Sequence, residues 1–83
     1  MSDAKRLASM LRRAASGELS GEELQDLVDS GPWDDFDWST PLLARTHHFV
    51  RQFSADDDVR AKDAGHAEHQ MKILEELAKQ LDP

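Results

Sequence analysis

The chain has 83 residues, with 17 Asp and Glu against 10 Lys and Arg, a formal charge of −7 and no cysteine. This length holds one small core, with no disulfide or Cys-based zinc site to staple it, and the acid excess argues against nucleic acid as a direct ligand, since phosphate binding runs on Lys and Arg. No stretch approaches the roughly 20 apolar residues of a membrane span, and "MSDAKRLASM" is too polar for a secretory signal, so a soluble cytoplasmic protein without a membrane partner is expected.

The first predicted helix covers about Asp3 to Ala15. Ser2 stands as N-cap, and Ala4, Leu7, Ala8, Leu11, Ala14 and Ala15 recur at helical spacing. Gly17 lies just past the end, where a left-handed residue is wanted. The second helix follows "LSGEEL", in which Ser20 and Glu23 form a capping box and Leu19 can staple to Leu24. Leu24, Leu27 and Val28 give it one apolar face, and Gly31-Pro32 ends it.

The third helix opens at Pro41, capped by Thr40 or Ser39, and closes at Phe53. Leu42, Leu43, Thr46, Phe49, Val50 and Phe53 form its inner face. The last helix runs from Asp63 or Ala64 to Leu81, with Ala67, Gln70, Met71, Leu74, Leu77, Ala78 and Leu81 in register. With three Val, one Ile and no period-2 alternation, strands are not expected. The expected architecture is all-α, a single-domain antiparallel four-helix bundle.

Charge is distributed unevenly. Between Arg13 and Arg45 there is no Lys or Arg, while Glu18, Glu22, Glu23, Asp26, Asp29, Asp34, Asp35 and Asp37 all fall there. Asp56, Asp57 and Asp58 form a second acidic knot. Inside the first, "GPWDDFDWSTP" holds both tryptophans. Its aromatics either fold inward as a lid on the core or leave one tryptophan exposed as an interface anchor, and the two arrangements are compatible.

Other chemistry is poorly supported. His66 and His69 lie one turn apart and would bind zinc only if another helix supplied a third ligand; neither HExxH nor a Cys–His pattern is present. The Asp clusters fail the calcium-loop pattern, because Thr40 or Ala61 falls where its glycine belongs. No nucleophile–base pair or glycine-rich phosphate loop is present. No enzyme activity, cofactor or metal is therefore expected.

Three stretches carry a resemblance. "LASMLRRAASGELSGEEL", "FVRQFSADDDVR" and "ILEELAKQL" together resemble the colicin D immunity protein family, small acidic helical proteins that block a toxic tRNA nuclease. The resemblance covers roughly three quarters of the chain and omits residues 29 to 41. It implies that carboxylates fill the basic active site of the toxin in place of the tRNA backbone, a role that carries best onto Asp56 and Asp58. Arg51 departs from the pattern, standing where an acid is expected.

The resulting expectation is an immunity protein that binds a basic nuclease toxin domain through Trp33, Asp34, Asp35, Asp37, Trp38, Asp56, Asp57 and Asp58. The alternative is an acidic adaptor or phage-type inhibitor of another basic protein. A monomer is expected, or a weak homodimer formed through Trp33 or Trp38.

Overall fold

A computed structural model describes residues 2–83. Among them are five helices and no strand: α1 (Asp3–Ala15), α2 (Gly21–Ser30), α3 (Pro41–Ala55), α4 (Asp57–Lys62) and α5 (Ala64–Leu81). The all-α expectation holds, but the helix count is five rather than four. The added element is α4, cut from the Asp-rich segment by a break at Asp56. Its first turn carries Asp57 and Asp58 and its last turn Arg60 and Lys62, the charge order that suits a helix dipole.

The predicted caps form as local chemistry dictates. Ser2 accepts from the Lys5 amide. After α1, Gly17 adopts φ +87°, and the amides of Gly17 and Glu18 return to the carbonyls of Ala14 and Arg13, which satisfies two orphan acceptors. The capping box closes in both directions: the Glu23 amide donates to Ser20 Oγ, and the Ser20 amide donates to Glu23 Oε1. Leu19 and Leu24 are both buried. Thr40 precedes α3 without a side-chain cap; its hydroxyl donates instead to the Asp37 carbonyl.

The core combines Leu7, Ala8 and Leu11 of α1 with Leu24 and Val28 of α2, Val50 and Phe53 of α3, and Leu74, Leu77 and Ala78 of α5. Thr46 is buried with them, its hydroxyl satisfied by the Leu42 carbonyl at 2.8 Å.

Helices α2 and α3 run in opposite senses, since Asp57 reaches the start of α2 while His47 faces Asp29 near its end. Helices α3 and α5 do likewise, through Asp56–His66 at one end and Arg45–Gln80 at the other. Helix α1 packs chiefly on α5, and Arg12 bonds to Asp82 at distances of 3.0 and 3.4 Å. The C-terminal ends of α1 and α5 therefore meet, whereas a fully antiparallel arrangement would set them at opposite poles.

Candidate protein-binding surface

The segment between α2 and α3 is an aromatic cluster wearing an acidic coat. The Trp33 and Phe36 rings stack at 5.3 Å, and Trp38 stands edge-on to both. All three are half-buried against the core. Trp33 Nε1 donates to the Val28 carbonyl at 2.6 Å, so the loop is fastened to the end of α2. Arg6 of α1 lies over the same ring at 4.0 Å and donates to the Pro32 carbonyl. Trp38 in turn packs against His47 of α3. The lid arrangement is what the fold adopts.

The aspartates of this segment point outward. Asp34, Asp35 and Asp37 are exposed. The Asp35 amide is held by Asp3 at 2.8 Å, which leaves its own carboxylate free to face solvent. Asp37 accepts from the hydroxyl and the amide of Ser39, and these two bonds hold its carboxyl below its ordinary value.

The second acidic knot is built differently. Asp57 Oδ1 and Oδ2 accept from the amides of Gly21 and Glu22, at 2.8 and 3.1 Å, so this carboxylate caps α2 from across the molecule. It also pairs with Arg60, whose side chain is only 8% exposed and whose guanidinium carbon stands over the Phe53 ring, 3.4 Å from its centroid. Burial lowers the Arg60 pKa, opposed by the charges of Asp57 and Asp56. The same guanidinium donates to Gln70 Oε1, and Gln70 Nε2 donates to Asp56 at 2.9 Å. Asp56 is further bonded to His66 at 3.2 Å. The bonds from His66, then Gln70, keep its carboxyl below the ordinary value.

The three aspartates are thus divided. Asp56 and Asp57 are members of a polar network joining α2, α3, α4 and α5, and of the three only Asp58 is exposed. Arg60 and Gln70 are the members that sequence reasoning missed. Gln70 was readable only as part of an apolar stripe, and Arg60 only as one base among acids. Of the histidine pair, His66 is engaged by Asp56, and His69 is exposed. Among the described residues no three potential ligands gather into a group that could hold a metal.

Two large apolar side chains are left exposed, Leu27 at 37% and Val59 at 45%. Each directly follows an exposed acid, Asp26 or Asp58. Among the described residues, Glu22, Glu23, Asp26, Asp34, Asp35, Asp37 and Asp58 make no ion pair with Lys, Arg or His. No helix among them is long and apolar enough to cross a membrane. No family model matches the chain, and neither does any known protein or solved structure compared with it.

Proposed function

We propose that this chain is a cytoplasmic, non-catalytic inhibitor of a basic protein, of the immunity-protein kind, whose target is a nuclease toxin domain. One observation carries the reading: of nine exposed carboxylates without a cationic partner among the described residues, seven fall on α2, the aromatic segment and the start of α4, and the two exposed apolar side chains directly follow two of these seven in sequence. A nuclease active site is a positive cleft. Unpaired carboxylates on a rigid helical frame match it in sign and speed the encounter. Leu27 and Val59, with the exposed edges of Trp33 and Trp38, supply apolar contact where charge supplies attraction.

Under this reading the roles suggested by the resemblance are redistributed. Asp58 is free to meet a partner, together with Asp34, Asp35 and Asp37. Asp56 and Asp57 hold the frame that presents them. The test is retention from the source lysate at low salt, followed by a tRNA-cleavage assay on whatever basic protein is retained. A variant with Asp34, Asp35, Asp37 and Asp58 all changed to Asn, checked for helicity, should neither retain nor inhibit it. Equal inhibition by this variant and the parent would refute the proposal.

A further inference from the structure

Helices α3 and α5 are not among the closely packed helix pairs. Between them runs an open groove of about 400 Å³. Its floor is Phe49, Ile73 and Leu77, and Arg45, His48, His69 and Lys72 stand along its edges. From His69 to Gln80 the α5 wall extends about 16 Å, at 1.5 Å per residue. The volume falls in the range of about 300–1,000 Å³ typical of small-molecule sites, which are likewise mostly apolar with a few orienting polar groups.

The edges are unequal in free charge. Lys72 is engaged by Glu68 at 3.4 Å, and Glu76, which also lines the groove, by Lys79 at 3.9 Å. Arg45 makes no ion pair among the described residues. Its guanidinium is positioned at the Gln80 end by a 2.9 Å bond to Gln80 Oε1. One helical turn separates it from His48 and Phe49, so all three share a face. An exposed arginine without an ion pair beside an apolar channel, in a chain of charge −7, suits an anion that brings its own apolar body. A peptide with several acids would meet repulsion from the rest of the molecule, whereas a monoanion meets one fixed cation and little else.

We propose that the α3–α5 groove binds a single-chain amphiphilic carboxylate of the fatty-acid class, its chain on Phe49, Ile73 and Leu77 and its carboxylate on Arg45. This site is separate from the acidic surface and does not depend on the inhibitor reading.

The experiment is an amide-resolved NMR titration with dodecanoate below its micellar concentration. Dodecanol serves as the uncharged control and phosphatidylglycerol vesicles as a third arm. Saturable one-to-one shifts confined to α3 and α5 are expected. Arg45→Gln, an exposed position that leaves the helices intact, should weaken dodecanoate by about tenfold or more, the loss of one charge-assisted hydrogen bond. Dodecanol should bind more weakly and be indifferent to that change. Equal binding of acid and alcohol, shifts scattered over the whole surface, no saturation, or binding to vesicles alone would each overturn the proposal.

Discussion

Gly21 shows how tightly one residue is built into this fold. A Cβ placed on it would lie 2.6 Å from the Phe53 carbonyl oxygen and from Ser54 Cα, and 2.7 Å from Asp57 Oδ1. Two of those atoms are backbone, so relief requires α2 and α3 to part. Gly21→Ala should cost about 2 kcal/mol as an overpacking change, lowering the melting temperature by roughly 8–16 °C in a domain of this size. An unchanged melt would mean that the helices separate freely. Asp56 gives a second test, in pH. Its folded pKa lies below the ordinary value, so its contribution is fully present above that value, about 3.9. The contribution is lost as pH falls through the lower, folded value, where the unfolded chain already binds the proton. The melting difference between the parent and Asp56→Asn should therefore be largest near neutral pH and shrink toward pH ~3. A difference that does not change with pH would remove the charged network from the account.

Among the elements, α4 is the one the sequence concealed. The capping box at Ser20 and Glu23, the proline opening α3 and the Ser2 cap were all legible, because each rests on residues within one turn of one another. The bounds of α1 followed directly. The six residues of α4 present no apolar stripe; its buried group is a guanidinium, and its partners Phe53 and Gln70 lie on other helices. No local rule reveals that Arg60 faces inward. Arg60→Ala would leave Gln70 Oε1 without its donor and Asp57 with only its amide donors from α2, a loss of about 1–3 kcal/mol for hydrogen bonds to a charged group, measurable by urea unfolding. Arg60→Lys should restore little, since one ammonium cannot reproduce a planar fork lying over an aromatic ring while serving several acceptors. A lysine variant as stable as the parent would show that charge alone suffices.

At the scale of the whole molecule, sequence reading found the acid but could not separate structural carboxylates from free ones. Asp56, Asp57 and Asp58 are adjacent and chemically alike; only the arrival of His66, Gln70, Arg60 and the first amides of α2 divides them. The aromatic loop was ambiguous for a similar reason, because inward packing depends on Arg6 and Val28, remote from its own turn. The division gives the inhibitor proposal a kinetic signature. Free carboxylates on an exposed surface act through a field that salt screens within about 10 Å at 0.1 M. Association with a basic nuclease domain should therefore slow steeply as salt rises, while dissociation, governed by the apolar contacts, changes less. Replacing Asp34, Asp35 and Asp37 by Asn should reduce the low-salt association rate by about tenfold and flatten its salt dependence. Arg45→Gln removes a cation from the α3–α5 groove and makes the chain more acidic, so it should leave that rate undiminished. Stopped-flow mixing of the three proteins with the nuclease domain separates the cases. A rate that falls for Arg45→Gln as much as for the aspartate variant would place the nuclease on α3 and α5 and displace the acidic surface from its proposed role.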